Sequence, residues 1–372
     1  MMISSWRSYR DCLQSLSQGF VACLSNGHQC LVENGVWSFF SSPQLENPYE
    51  PEQSTLVAAA EFHVNFSHDD LRTNYYDNIN FFSCSYASGL FYLHGCGSQR
   101  RPLISNPITG RYAILPYLYS YRNLYVFFGF DPIDMQYKAL RMAYPWDPNR
   151  HKTLTFGDGD MKWRKVKGSL RHEIKSEGIC INGVLYYLGY TPNCFNDDHV
   201  VTSAWIIVCF DLRSEKITCI DVNRFGKLIN YKGKLALIYL GKDSAAINEL
   251  HMWVLDDVEK HEWSKHAYTL THDKLFRRHF RIAGATTWGE IVFSMHKYTP
   301  NKPFYVFYFN PEKNTLKRVE IKGFGEYSCT VFTFVNHVED LDVNDLKLLK
   351  STHPPLTEPN YAEECAPDSD SD

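Results

Sequence analysis

The chain has 372 residues, and 38 Lys and Arg against 42 Asp and Glu give it a formal net charge of −4. A charge this small does not predict nucleic acid or an acidic membrane as a partner. Its eleven cysteines, without a CxxC spacing, indicate reduced thiols, and the first twenty residues lack the apolar core of a signal peptide. The most apolar run, 204–210, is far shorter than a bilayer span. We therefore expect a soluble protein of the cytoplasm, the nucleus or both.

One strand–turn–strand unit recurs along the chain at intervals of ~40 to 55 residues, which is typical of blades or stacked modules. In most units two apolar, aromatic-rich runs flank a turn that ends in glycine, and two further runs flank a turn led by Asn or Asp. The glycine turns are Asn34-Gly35, Ser88-Gly89, Asn182-Gly183, Lys232-Gly233 and Trp288-Gly289. The second kind of turn lies in SNPITGRY (105–112), FDLRSEKI (210–217), LDDVEKHEW (255–263) and FNPEKNTL (309–316).

The elements follow in chain order. Residues 4–18 place Trp6, Tyr9, Leu13 and Leu16 on one face of a predicted short helix. The run CLVE (30–33), the turn Asn34-Gly35 and the run 36–42 predict the first hairpin, which 59–66 continues. Five more units are predicted over 84–116, 124–167, 177–222, 228–268 and 280–321. The last strand, 329–335, has no partner of its own, so we expect it to pair with strands from 30–66 and close a ring without exposed edges.

The predicted fold is therefore all-β, a single β-propeller of about six four-stranded blades. We divide the chain into an N-terminal helical segment (1–28), the propeller domain (29–340) and a C-terminal short helix with a disordered acidic tail (341–372). Residues 351–372 contain no Lys or Arg and six carboxylates, so they have too little apolar surface to order themselves.

Two structural predictions follow from the repeat. The turns Asn34-Gly35 and Asn182-Gly183 should have positive φ at both residues, as a type I′ hairpin turn requires. The aromatic residues that open the outer strands, Tyr112, Tyr137, Trp163 and Trp263, should be at least partly buried between neighbouring blades.

The loop lengths predict where a partner binds. If the four runs of a unit are called a, b, c and d, the a–b and c–d turns lie at one end of the propeller and the b–c and d–a connections at the other. The first kind is nearly always tight, whereas several of the second kind are long, and scaffolds carry recognition on such loops. The predicted partner-binding residues on this long-loop face are Trp146, Asp147, Arg150, Phe195, Asp198, His199, Lys274 and Arg277. Neutral growth of tolerated loops is the alternative.

No motif predicts a catalytic residue, a cofactor or a metal. His261 and His266 lack the further ligands of a zinc site, Asp158 and Asp160 fit a hairpin turn, and no nucleotide or serine-hydrolase motif is present. Some propellers are glycosidases that use two carboxylates, so a propeller-fold hydrolase stays as a remote alternative.

Several segments resemble the plant F-box-associated domain of type 3, a Kelch-related β-propeller. They are SNPITGRYAILP (105–116), FFGFDPIDMQYKAL (127–140), LTFGDGDMKWRKV (154–166), EGICINGVLYYLG (177–189), VCFDLRSEKITCIDV (208–222), LINYKGKLALIY (228–239) and FVNHVEDL (334–341). The resemblance implies a protein-recognition module, the part of a Skp–cullin–F-box ubiquitin ligase that selects proteins for ubiquitination. It implies no enzymatic activity and no cofactor.

The sequence departs from that pattern at the N-terminus. Family members usually begin with an F-box that binds the Skp-type adaptor, and here Trp6-Arg7-Ser8 and Phe20 resemble only its end. The candidate adaptor contacts are thus Trp6, Tyr9 and Leu13, and we expect the chain as written to bind adaptor and cullin weakly or not at all. The alternative function is a stand-alone propeller that competes with full-length relatives for their targets.

Overall fold

The computed structural model describes residues 19–25, 37–43, 56–66, 84–93, 102–116, 124–143, 151–157, 161–166, 170, 172–191, 205–241, 248–270, 280–324, 328–337 and 349. All regular structure in these residues is β, in 27 strands numbered β1 to β27 in chain order. They form six sheets, which we call blades 1 to 6. The predicted all-β propeller is confirmed, whereas the predicted helix within 4–18 and the turn Asn34-Gly35 lie outside the described residues.

Blades 2, 3 and 5 have four strands each, all antiparallel to their neighbours. Blade 2 consists of β5 (Cys84–Ala87), β6 (Leu90–Leu93), β7 (Leu103–Asn106) and β8 (Arg111–Ile114). Blade 3 consists of β9 (Leu124–Asp131), β10 (Gln136–Ala143), β11 (Lys152–Thr155) and β12 (Arg164–Lys165). Blade 5 consists of β18 (Lys227–Tyr231), β19 (Lys234–Gly241), β20 (Asn248–Asp257) and β21 (Glu262–Leu270).

Blades 4 and 6 each contain five strands. Blade 4 consists of β13 (Glu173–Ile174), β14 (Ile179–Ile181), β15 (Val184–Tyr190), β16 (Trp205–Asp211) and β17 (Ile217–Val222). Blade 6 consists of β22 (Phe280–Ala285), β23 (Ile291–Met295), β25 (Phe304–Asn310), β26 (Thr315–Lys322) and β3 (Leu56–Ala59). In blade 6 the strand β3 comes from the beginning of the chain and pairs parallel with β26.

Blade 1 joins the two ends of the chain. Its strands are β24 (Lys297–Tyr298), β27 (Cys329–His337), β1 (Gly19–Ser25), β2 (Trp37–Pro43) and β4 (Glu61–Phe66), in that order across the sheet. The last strand β27 therefore closes the ring, as predicted, but its direct neighbour is β1 and not a strand from 30–66. The predicted first hairpin is also wrong. The strand that pairs with β2 on this side is β1, with Ser25 opposite Trp37, and not the run 30–33.

The first strands of successive blades surround the centre of the ring. β9 contacts β5 on one side and β14 on the other, and the series continues through β18 and β22 to β27. The ring closes where Phe334 of β27 lies 5.1 Å from Phe91 of β6. Blades 1 and 6 are connected three times, by the chain itself, by the β24–β27 pair and by β3 against β26. Such closure leaves few free sheet edges.

The turns explain why the sequence repeats. In each Asn- or Asp-led turn a side-chain oxygen accepts a backbone N–H two or three residues later, and a residue in the left-handed region follows four positions after the leader. The leaders and their left-handed partners are Asn106 with Gly110, Asp131 with Met135, Asp211 with Glu215, Asp257 with His261 and Asn310 with Asn314. At every described copy of this turn, the Asn or Asp that leads it in the sequence therefore makes the expected hydrogen bond, and the backbone has positive φ four residues later.

The four aromatic residues predicted between blades are buried or half-buried, so that prediction is confirmed. Tyr112 belongs to the same core cluster as Phe39 of blade 1, and the Tyr137 hydroxyl donates a hydrogen bond to the Ser88 carbonyl of blade 2 (2.5 Å). The Trp163 indole N–H donates to the Pro116 carbonyl (3.4 Å). Tyr137 opens the second strand of its blade and not an outer one.

The glycine turns allow a matched test of backbone strain. Asn182 and Gly183 have φ of 49° and 81°, which confirms the prediction, and Lys232 and Gly233 have 51° and 84°. A Cβ on Gly233 would meet nothing within 4 Å, whereas one on Gly183 would lie 3.3 Å from Pro132 of blade 3. Gly233→Ala should therefore cost about 1 kcal/mol from φ alone, and Gly183→Val more. Urea unfolding measures both, with Gly157→Ala as the unstrained control; equal stability of all three variants would contradict this assignment of the turns.

Candidate functional site

The long-loop face can be located from the strand directions, because every b strand ends there and every c strand begins there. The eight residues predicted to bind a partner, Trp146, Asp147, Arg150, Phe195, Asp198, His199, Lys274 and Arg277, belong to its loops and lie outside the described residues. So do the candidate adaptor contacts Trp6, Tyr9 and Leu13. Both assignments stay predictions.

A group of side chains that the sequence reasoning missed extends from the described part of this face along the strands of blade 5. We call it the aromatic–cationic patch and define it as Tyr190, Trp205, Arg224, Phe225, Tyr239, Trp253 and Lys265. Its members come from blades 4 and 5 and from the d–a connection between them. The patch continues the buried interface of these blades, where Leu188 and Leu237 are fully buried, outward to the surface.

In the blade 4 half of the patch, three aromatic rings form a row in space. The ring centroids of Tyr190 and Trp205, at the facing ends of β15 and β16, are 5.4 Å apart. Trp205 lies 5.2 Å from Phe225, whose side chain remains 53% exposed. An exposed phenylalanine held by a half-buried tryptophan is a feature of binding surfaces more than of solvated ones.

In the blade 5 half, cations lie over aromatic rings. The Arg224 guanidinium carbon is 4.4 Å from the centre of the Tyr239 ring and 5.6 Å from that of Trp253. The Lys265 ammonium lies 4.4 Å from the centre of the same Trp253 ring. The antiparallel pairing places Trp253 directly opposite Lys265, which explains that contact. Cation–π contacts at such exposed sites contribute about 0.5–1 kcal/mol each, so they fix the position of the charges more than they stabilise the fold.

A small pocket lies beside the patch, at the mouth of the central channel. Inner strands of four blades line it through Cys84, Lys227, Arg281 and Phe334, together with Glu177 just before β14. Its volume of about 70 Å³ has room for several water molecules. This is too little space for a ligand of substrate size.

Glu177 is the charged centre of this pocket. Its carboxylate accepts a hydrogen bond from Lys227, and the positive charge of Lys227 holds the pKa of Glu177 below its usual value, with Arg281 adding to the effect. Among the described residues that line the pocket it is the single carboxylate. The two-carboxylate arrangement of a glycosidase is therefore not present in this lining.

Other catalytic chemistry finds no support in the described residues. They contain no group of three or more His, Cys, Asp or Glu side chains placed to hold a metal ion. Burial raises the pKa of Cys180 to about 11 and that of Cys209 to about 12, so neither thiol is activated as a nucleophile. No helix within the described ranges is long and apolar enough to cross a bilayer.

Comparison with known proteins decides the family. The model of the F-box associated beta propeller domain matches residues 27–338. The chain belongs to this family. One F-box protein of Arabidopsis thaliana is 59% identical over 366 residues, which cover 91% of this chain and 84% of that protein. A second is 60% identical over 354 residues, covering 88% of this chain and 83% of that protein.

Solved structures give a weaker likeness. Prolyl oligopeptidase B from Galerina marginata aligns with 85% of this chain and 40% of its own, at 10% identity and a TM-score of 0.39. A score this low supports no functional inference. The F-box-associated propeller domain is thus assigned from the family match and the sequence relatives.

Proposed function

We propose that this protein selects a target protein for a ubiquitin ligase of the Skp–cullin–F-box class, with the long-loop face of the propeller as the recognition surface. Membership in the F-box-associated family, with F-box proteins as close relatives, carries the proposal. The family match covers residues 27–338 and so bears on the propeller, whereas adaptor binding is a separate question that is tested below. We place its action in the cytoplasm, the nucleus or both.

The patch supports the recognition half of the proposal. Tryptophan, tyrosine and arginine dominate the few residues that supply most of the binding energy of protein interfaces. Trp205, Trp253 and Arg224 are held together on the predicted face, with Phe225 exposed beside them. We therefore include the patch in the proposed recognition surface.

The adaptor half is tested by calorimetry of the purified 372-residue chain against a Skp-type adaptor. An F-box binds by burying helical apolar surface, and stable interfaces bury about 1,200–2,000 Å² in total. The short predicted helix with Trp6, Tyr9 and Leu13 offers less, so we expect a constant weaker than micromolar. A chimera with a complete F-box ahead of Trp6 should reach micromolar or tighter affinity, because the propeller is unchanged.

The controls separate the candidate functions. Micromolar binding by the chain as written, lost in Trp6→Ala, would contradict the expectation of weak binding and identify the N-terminal segment as a sufficient adaptor contact. A chimera that binds the adaptor but promotes no ubiquitination of any bound target would contradict the ligase role. The stand-alone propeller that competes with its relatives would then be the better function.

A further inference from the structure

We propose that the aromatic–cationic patch binds an acidic segment of the target protein, in which Asp or Glu residues neighbour an aromatic or aliphatic side chain. The inference rests on the proposed recognition function and specifies the chemistry of its partner. It rests on two positively charged side chains of the patch, Arg224 and Lys265, which have no carboxylate partner among the described residues.

Two cations of the patch have no carboxylate partner within the described part of the chain. Arg224 and Lys265 are both exposed, and their contacts there are with the rings of Tyr239 and Trp253. Elsewhere on this part of the surface, cations have carboxylates, as Lys227 has Glu177 and Lys175 has Glu173 at 2.5 Å. Within the described residues of the patch, Arg224 and Lys265 are therefore the positive charges without a carboxylate partner.

The two charges are close together because both lie over the same ring. Arg224 is 5.6 Å and Lys265 4.4 Å from the centre of Trp253, so their separation cannot exceed the sum of these distances. That limit is a little above the screening length of about 8 Å at physiological salt, so one short acidic segment can interact with both charges. Its carboxylates gain charge-assisted hydrogen bonds, most effectively from the planar fork of Arg224.

The apolar half of the patch defines the rest of the partner segment. Phe225, next to Arg224 in sequence, is 53% exposed and packs against Trp205. An aromatic or aliphatic side chain would cover it and remove water from the neighbouring ion pairs, which strengthens those pairs. Within the described residues, the acids beside the patch are Glu173, which lies opposite Tyr190 and is paired with Lys175, Glu249, which lies beside His251 at 3.4 Å, and Asp221 on the neighbouring strand β17.

The test is a selection from a displayed random peptide library on the full-length immobilised protein. We expect enrichment of peptides with Asp or Glu next to Phe, Tyr, Trp or Leu, and depletion of Lys and Arg. The charge-reversal variant R224E/K265E should lose these peptides, with at least a tenfold weaker affinity for the best of them, and should select basic peptides instead. The matched control K216E/K260E reverses two exposed lysines of the tight-turn end and should select as the unchanged protein does.

Three results obtained with the tail unaltered would overturn the proposal. Neutral or basic peptides could be enriched, acidic peptides could survive the R224E/K265E reversal, or the control variant could lose them as well. The acidic tail of the chain itself, residues 351–372, has the same chemistry and is another segment that could occupy the patch. If acidic peptides are selected only after E358Q, E363Q, E364Q, D368N, D370N and D372N neutralise it, the patch serves an internal contact and the external partner is wrong. Failure at this step leaves the ligase role intact, because that role is measured by adaptor binding and ubiquitination.

Discussion

Phe91→Ala should lower the free energy of unfolding by about 3–5 kcal/mol, the range observed when a buried phenylalanine is truncated. Phe91 is fully buried at the seam where the ring closes. Its ring lies 5.1 Å from Phe39 of β2 and 5.1 Å from Phe334 of β27, edge to face in both pairs. The side chain thus contacts strands from both ends of the chain, and its loss leaves a cavity that no single blade can close.

The measurement is urea unfolding followed by tryptophan fluorescence. Phe91→Leu keeps most of the volume and should cost less than about 1.5 kcal/mol. Phe62→Ala is the surface control, since Phe62 belongs to the same blade as Phe39 but is 52% exposed. If Phe91→Ala were no more destabilising than Phe62→Ala, the closing seam would not be a packed interface.

The second large effect is a loss of stability in acid at the same seam. His337 of β27 is buried against the rings of Tyr86 and Phe91, and neither of its ring nitrogens has a hydrogen-bond partner among the described residues. Burial, with a smaller contribution from His63, lowers the pKa of His337 to about 4. The folded protein therefore holds this imidazole neutral at a pH where the unfolded chain, with a pKa of about 6.5, protonates it.

The direction of the pH effect follows from this difference. A lowered folded-state pKa contributes stability that is present above pH ~6.5 and is lost as the pH falls towards ~4, at up to about 1.4 kcal/mol per pH unit. His337→Phe should remove about 3 kcal/mol of that loss, which is seen as a flatter dependence of unfolding free energy on pH. His172, whose pKa burial also lowers, contributes in the same direction and remains in the variant.

The control is His261→Asn. His261 is exposed in a turn at a φ of 54°, a conformation that asparagine tolerates, so the pH dependence should not change. If His337→Phe left the slope between pH 6.5 and 4 as steep as in the unchanged protein, His337 would not be buried as a neutral group.

Much of the fold could be predicted because the information is local. A glycine at positive φ, or an Asn or Asp that caps its own turn, can be recognised within four residues, and these turns divide the chain into its blades. The failures concern pairing between distant segments. The run GFVACLS (19–25) has strand-like alternation, but it follows a helix-like pattern and its partner β27 lies some 300 residues later, which no local signal reveals.

The same distinction explains the candidate site. Loop length predicts one end of the propeller as the partner-binding end, but it does not predict which residues meet there. Trp205, Arg224 and Trp253 are far apart in sequence, and they converge only because blades 4 and 5 are neighbours. The one available signal was the position of Trp205 at the start of β16 and of Arg224 in a d–a connection, whereas Trp253 lies in the middle of β20.

The most direct measurement of recognition by the long-loop face is site-specific photocrosslinking in plant cells. A photoreactive phenylalanine replaces Phe225 in one full-length protein and Trp288 in another. Both side chains are exposed, by 53% and 67%, but Trp288 lies in an a–b turn at the opposite end. We expect Phe225 to crosslink a defined protein that is ubiquitinated with the F-box chimera, and to lose that product in R224E, whereas Trp288 should give none. The same product from Trp288, or one from Phe225 that R224E does not affect, would contradict recognition by the long-loop face.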